Sequence, residues 1–247
     1  MPLQTAVPPT SFADAYFTNH TMCKGSVRRM QLVPDAGAVS VSAAGLPAPT
    51  LTGSLESTVA GCGPFLSHRT TAASGNVASM VLSPWGGAAA IKPYWYPRCR
   101  FTVEIPQLES LSNVRYWIGL FSADPSGSSN PSARIAAFRF DTGVDGTLYW
   151  RAVSKATTGA TPEVTETDVP VTAFVTRKFM IEFAYNTIRF WDEGTLVATH
   201  TLSTGSFWSA SFSPGVLVTT LANEIHGIKW GWLCMEHGFV NDYWPEP

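Results

Sequence analysis

The stretch from Phe179 to Leu202, FMIEFAYNTIRFWDEGTLVATHTL, constrains the fold more than any other part of the chain. Phe179, Ile181, Phe183 and Tyr185 fall on one side of an extended backbone and Met180, Glu182 and Ala184 on the other, the period-two alternation of a half-buried strand. Asn186-Thr187 then reads as a tight turn. Ile188 and Phe190 alternate with Arg189 and Trp191, and Asp192-Glu193-Gly194 supplies residues that turns use for positive φ or for side-chain to backbone hydrogen bonds. A third strand, Thr195 to Leu202, closes a meander. The stretch predicts a β-protein and leaves function open.

The rest of the chain separates into an irregular first part and a regular second part. Residues 1–50 carry Pro8-Pro9, Pro34, Pro47 and Pro49 among many Ala, Gly and Ser residues, with one strand-like run from Ser26 to Val33. Prolines deny such a segment ladder hydrogen bonds and small residues deny it a core, so an extended N-terminal arm is expected there. Residues 51–247 then form the main domain. Its beginning, Leu51 to Ser83, is rich in Ser, Thr, Gly and Ala and predicts irregular short strands and loops; a proline-bracketed aromatic run, Pro93-Tyr94-Trp95-Tyr96-Pro97, follows. From residue 98 strands are expected near Arg100–Ile105, Val114–Phe121, Ala133–Asp141, Gly146–Val153, Glu163–Thr167, Lys178–Tyr185, Thr187–Trp191, Thr195–Leu202, Gly215–Leu221 and Gly227–Glu236, with one helical turn over Gln107–Ser112. Short strands between turn signals argue for a sandwich or barrel.

Composition narrows the partners. Charged residues make up only 14% of the chain and aromatics 12%, a balance that leaves apolar surface for contact with other subunits, so a homo-oligomer is expected. A formal net charge of -2 gives no electrostatic footprint for nucleic acid or an anionic membrane surface. No window is apolar for long enough to span a bilayer, and MPLQTAVPPTSFADAYF lacks the basic start and apolar core of a signal peptide, so synthesis and assembly in a cytoplasm are expected. Cys23, Cys62, Cys99 and Cys234 contain no CxxC pair, and free buried thiols are expected rather than a zinc site.

Four blocks, RFTVEIPQLESLSNVRYWIGLFSA, ARIAAFRFDTGVDGTLYWRAVSK, RKFMIEFAYNTIRFWDEGTLVATHTL and GVLVTTLANEIHGIKWGWLCMEH, together resemble the concanavalin A-like lectin/glucanase jelly roll, in the laminin G-like and pentraxin-like variety found in bacteriophage virion proteins. Trp191-Asp192-Glu193-Gly194 stands where that family has an aromatic followed by Asp-Gly, with Glu193 as an insertion. The resemblance implies an all-β, antiparallel β-sandwich. Its motifs are structural, and fold alone does not assign function.

Glucanases on this fold carry an E-x-D-x-x-E arrangement that sets two carboxylates about a glycosidic bond. The chain lacks it: Glu163, Glu166 and Asp168 are spaced E-x-x-E-x-D, which puts Glu166 and Asp168 on one face and Glu163 on the other. Asp124, Asn130, Asp141 and Asp145 lie on two loops of the kind that hold calcium in such lectins, but Asp141-Thr142-Gly143 and Asp145-Gly146 are ordinary turn sequences, and no metal or cofactor is expected. The five histidines are isolated, and neither a G-x-S-x-G elbow nor a glycine-rich phosphate loop occurs.

Alternation also sets an arginine and aromatic face opposite the core. With Val114, Tyr116, Ile118 and Leu120 inward, Arg115, Trp117 and Phe121 point away; Tyr149 and Arg151 oppose Leu148 and Trp150, and Arg189 and Trp191 oppose Ile188 and Phe190. Arg115, Trp117, Tyr149, Arg151, Arg189 and Trp191 are therefore the candidate binding residues. Planar rings stack on sugar faces and guanidinium groups donate to hydroxyls, so a glycan platform is one reading. A second layer or a subunit interface, where the same residue types gather, is the other. Together with the family resemblance these features lead to the expectation of a non-enzymatic bacteriophage virion subunit, decorating the capsid or attached to a head fibre or tail, that docks to other virion subunits through its N-terminal arm. The alternatives are a carbohydrate-binding module and, behind it, a glycoside hydrolase.

Overall fold

The computed structural model describes residues 28–34, 41–44, 49–60, 63–82, 91–93, 96–106, 111–184, 186–202 and 205–237. The strands are β1 (Arg28–Pro34), β2 (Val41–Ala44), β3 (Pro49–Thr52), β4 (Ser54–Ala60), β5 (Gly63–Arg69), β6 (Val77–Leu82), β7 (Arg98–Glu104), β8 (Val114–Phe121), β9 (Ile135–Asp141), β10 (Tyr149–Lys155), β11 (Glu163–Pro170), β12 (Thr176–Ala184), β13 (Thr187–Asp192), β14 (Thr195–Thr201), β15 (Ser213–Thr220) and β16 (Gly227–His237). A single helical turn, Gly205–Trp208, follows β14. The strands form two sheets. One has seven strands in the order β11-β10-β9-β8-β15-β6-β3; the other has nine, β14-β13-β12-β7-β16-β1-β2, with β5 beside β16 and β4 beside β5. Every strand-to-strand pairing is antiparallel, and the two sheets make a β-sandwich, the class that the alternation predicted.

The alternating residues account for the core. Phe179, Ile181, Phe183, Ile188 and Phe190 from the nine-stranded sheet meet Tyr116, Ile118, Phe138, Phe140 and Trp150 from the seven-stranded one. Phe138 stacks on Phe179 with ring centroids 4.3 Å apart, Trp150 meets Phe179 edge-on at 5.1 Å and Phe138 meets Phe190 edge-on at 5.5 Å. Pairs of this kind each contribute about 0.5–1.5 kcal/mol beyond the area they bury. Leu148 departs from its expected inward position. It lies just before β10, is 65% exposed, and its carbonyl accepts a hydrogen bond from Val171 N–H.

Residues 51–82, expected to hold irregular short strands and loops, supply half of β3 together with β4, β5 and β6. Their small polar side chains give little contrast between faces, but β6 pairs β15 from Val77 to Val81 and β5 pairs β16 from Leu66 to Arg69. Inside residues 1–50, β1 pairs β16 over Arg28–Leu32 and seats Leu32 in the core. Cys99 and Cys234 are buried and outside any disulfide. Residues 1–27, Cys62, Tyr94-Trp95 and the 107–110 part of the expected helical turn lie outside the described residues.

Among the described residues, His68 and His200 are fully buried. His200 on β14 bridges to the other sheet, Nδ1 lying 2.8 Å from Ser154 Oγ and Nε2 3.0 Å from Thr165 Oγ1. His68 accepts the indole N–H of Trp230 at Nε2, 2.7 Å away. Burial lowers both from an ordinary 6.5 to about 4. Their folded pKa is below the unfolded one, so the unfolded chain takes up protons first as pH falls. Stability is full above pH 6.5 and declines toward pH 4, with about 3 kcal/mol assignable to His68 alone. Urea midpoints measured across this window should fall in the wild type and fall less steeply in His68→Gln; an equal slope in the two proteins would contradict the assignment.

Candidate functional site

The antiparallel register arranges the outward side chains of the seven-stranded sheet in rows. One row runs Glu166, Arg151, Arg139, Trp117, Leu217, Ser79 across β11, β10, β9, β8, β15 and β6. The neighbouring row runs Asp141, Arg115, Thr219, Val77. On the other side lies a row of small residues, Ala137, Gly119 and Gly215. A side chain at Gly119 would put its Cβ 2.4 Å from Ala137, so this part of the face is necessarily flat.

Each arginine of this face has an acidic partner. Arg115 pairs with Asp141, Arg139 with Asp145, and Arg151 with Glu166. Asp141 also accepts the Gly143 N–H at 2.9 Å through its side chain and the Asp145 N–H at 2.7 Å through its carbonyl, a local turn that brings Asp145 over Arg139. Arg139 Nε donates to Asp145 Oδ2 at 2.6 Å, and Arg151 donates to the Asp145 carbonyl at 2.7 Å. Buried charges of this kind persist because each is both paired and hydrogen-bonded. Of the three carboxylates considered for calcium, Asp141 and Asp145 are thus engaged with guanidinium groups and Asp124 accepts the Ser126 N–H at 2.8 Å; among the described residues no group of three His, Cys, Asp or Glu is placed to hold a metal.

Part of the face is covered by the chain itself. The β8–β9 connection, residues 122–134, folds back across it. Arg115 donates to Gly127 O, Trp117 Nε1 to Ser128 O at 2.9 Å, and Arg139 to Ser129 O at 2.8 Å. Lys155 Nζ donates to Asn130 Oδ1 at 2.7 Å and Pro131 O at 2.9 Å. Trp117 is fully buried, in a second apolar cluster with Phe121, Ala133, Ile135, Ala137, Val153 and Leu217, and the Arg139 guanidinium lies 5.3 Å from its ring centroid.

The margin of the face beside β11 is open. Tyr149 is half-buried there, the Arg151 side chain is 15% exposed and Glu166 48% exposed, and Asp168 is exposed. A bulge sits here: Tyr149 pairs Pro170 while Arg151 pairs Glu166, and Asp168 takes φ of 55° in the extra residues. Bulges of this type re-aim side chains at the edges of sheets. Glu163 pairs Ser154, an inward position, and so projects from the face opposite Glu166.

The six residues singled out by alternation therefore fall in two places. Arg115, Trp117, Tyr149 and Arg151 share the outer face of the seven-stranded sheet, the first two under the β8–β9 connection and the other two at the margin. Arg189 and Trp191 stand on the outer face of the nine-stranded sheet, across the core. There Arg189 lies 3.6 Å from Glu182, which also takes Arg98 at 2.7 Å, and Trp191 sits opposite Met180. Alternation missed Arg139, Asp145 and Lys155. The available signal was the run IAAFRF, apolar on both faces apart from one arginine, which marks a strand covered twice.

Neither a family model nor any curated protein sequence matches the chain. Solved structures do resemble it. The protein of unknown function SO2946 from Shewanella oneidensis MR-1 aligns over 100% of both chains with a TM-score of 0.59 and 9% identity. Apo Crh5 transglycosylase aligns with 86% of this chain and 84% of its own, TM-score 0.54 and 12% identity. The glycoside hydrolase family 16 endo-glucanase from Bacteroides ovatus covers 73% of this chain and 84% of its own, TM-score 0.52 and 7% identity. These likenesses establish the fold, a jelly-roll β-sandwich of the kind that the transglycosylase and the endo-glucanase also adopt. They also correct the expectation of a non-enzymatic bacteriophage virion subunit: of these three structures, the two whose names state a function are a transglycosylase and an endo-glucanase, and none is named as a virion protein.

The burial of Trp117 has a direct consequence. Trp117→Ala should lower stability by about 3–5 kcal/mol, the cost of an emptied core position, read from urea unfolding. A loss under about 1 kcal/mol would mean that the ring is not packed as described.

Proposed function

We propose that the protein is carbohydrate-active and holds a glycan along the open margin of the seven-stranded sheet. The observation that carries this is the company kept at one bulged edge: a partly exposed Tyr149 ring and the Arg151 guanidinium with its Glu166 carboxylate, with Asp168 exposed in the adjoining bulge, on a jelly roll like that of an endo-glucanase. An aromatic ring offers a stacking surface to the apolar face of a pyranose. Arg151 donates and the two carboxylates accept, so sugar hydroxyls find both kinds of partner. Binding of laminarihexaose or cellohexaose by calorimetry should be lost in Tyr149→Ala and weakened at least tenfold in Arg151→Ala, while Trp191→Ala, on the other sheet, leaves it unchanged. Loss in Trp191→Ala with no effect at Tyr149 would reverse the choice of face.

Cleavage is the second reading, favoured by one feature of the same margin. The Glu166 carboxylate pairs Arg151 and the Asp145 carboxylate pairs Arg139 in the next strand, both on the outer face, whereas Glu163 projects from the opposite face. Two carboxylates on one face are what glycoside hydrolysis requires, one to protonate the leaving oxygen and one to activate water or attack the sugar. Release of reducing ends from a β-glucan, reduced about a hundredfold or more by Glu166→Gln, is the outcome expected of that chemistry; release that Glu166→Gln leaves intact would exclude Glu166 from it.

A further inference from the structure

The open margin continues inward along a single row, from Glu166 and Arg151 to Arg139 and Trp117, and the inner half of that row is where residues 122–134 lie. This connection, SADPSGSSNPSAR, brings few apolar groups to the face it covers. Of the cluster beneath it, the strap itself supplies only Ala133 and, at the edge, Ala123; the larger members, Trp117, Phe121, Ile135 and Leu217, belong to the sheet. The strap is held mainly by its oxygens. Gly127 O, Ser128 O, Ser129 O, Asn130 Oδ1 and Pro131 O accept, in chain order, from Arg115, Trp117, Arg139 and Lys155.

That series of oxygens lies over an indole ring and a flat floor of Ala137, Gly119 and Gly215, opposite donors that make no such bond to one another. The acidic partners of Arg115 and Arg139 satisfy part of each guanidinium, and the remaining donors face the strap. Lys155 has no carboxylate in its hydrogen bonds: both acceptors are neutral oxygens of the strap, and burial lowers its pKa. A line of oxygens above an aromatic ring is also what a neutral oligosaccharide presents. We propose that the strap is an internal occupant of the glycan face, engaging with its own oxygens the donors that sugar hydroxyls otherwise engage, and that it must lift for a ligand to extend from the margin toward Trp117. This rests on the glycan reading of the margin.

The strap's seat is narrow at one point. Gly127 has φ of 70°, and a Cβ there would lie 2.6 Å from Thr219 Oγ1 and 2.8 Å from Val77 Cγ2. Gly127→Ala therefore pushes the strap off the sheet by contact and by backbone strain together. Asn130→Ala removes one acceptor of Lys155 from an exposed position and spares the fold. Each variant shifts the covered state toward the open one, and a lost hydrogen bond of ordinary strength is a roughly fivefold shift.

The test measures two quantities on the full chain and its variants: amide hydrogen exchange over residues 122–134 and calorimetric affinity for laminarihexaose and cellohexaose. Faster exchange with roughly fivefold tighter binding in Asn130→Ala and Gly127→Ala, abolished when Tyr149→Ala is added, is the expected result. Faster exchange with unchanged affinity makes the strap a seal and overturns the inference while leaving the margin reading intact. Unchanged exchange in both variants overturns it as well, because the named contacts then do not hold the strap. No binding by wild type or either variant removes the margin reading and this inference together. Should Gly127→Ala fail to fold, Asn130→Ala decides the matter alone.

Discussion

The stacking of Phe138 on Phe179, 4.3 Å between ring centroids, fixes the relation between the two sheets and with it nearly everything on their outer faces. Because side chains alternate along a strand, placing Phe138 and Phe140 inward obliges Arg139 and Asp141 to point outward. The same step on β8 sends Arg115 and Trp117 out as Tyr116 and Ile118 go in, and on β10 sends Arg151 out as Trp150 goes in. The functional face is thus the complement of the aromatic core, and a one-residue slip in register would exchange the two.

Three arginines brought side by side on a sheet repel one another unless each is neutralised. Asp141, Asp145 and Glu166 do this, and two of them come from the end of β9 and the turn that follows it. Their pairing permits residues 122–134 to lie over the inner half of the row, since a strap with no charge to offer Lys155 and few apolar groups could not by itself compensate buried, unpaired guanidinium groups. What remains uncovered is the margin with Tyr149, Arg151, Glu166 and Asp168, where a strand bulge and an exposed carboxylate leave hydrogen-bonding capacity turned to solvent.

Alternation made most of the architecture legible. Strong contrast between Phe, Ile and Val on one side and Arg, Glu and Thr on the other located β7 to β16, and the inward set along β12 and β13 was the one found, with Tyr185 outside the described residues. Contrast is also why residues 51–82 were read as irregular: runs such as Ser54–Ala60 mix small and polar residues with few apolar ones, and only the pairing of β5 with β16 and of β6 with β15 draws this region into the sheets. The candidate site was half legible. Arg115, Trp117, Tyr149 and Arg151 were placed on a common face, but periodicity cannot say which of two sheets a strand joins, so Arg189 and Trp191 were grouped with them although the core lies between. Nor does any local pattern announce that Pro125–Pro131, a Gly- and Ser-rich loop, will cover Trp117; that follows from hydrogen bonds that reach it from β8, β9 and β10. The virion expectation failed for a related reason, since it rested on the habits of a fold rather than on a site.

The account places ligand recognition on one face of one sheet. A crystal structure of the protein grown with cellohexaose or laminarihexaose tests this most directly. Sugar density stacked on Tyr149 and within hydrogen-bonding distance of Arg151 and Glu166 is the predicted result. Density on the outer face of the nine-stranded sheet, at Trp191 and Arg189, with the Tyr149 margin empty, would contradict it.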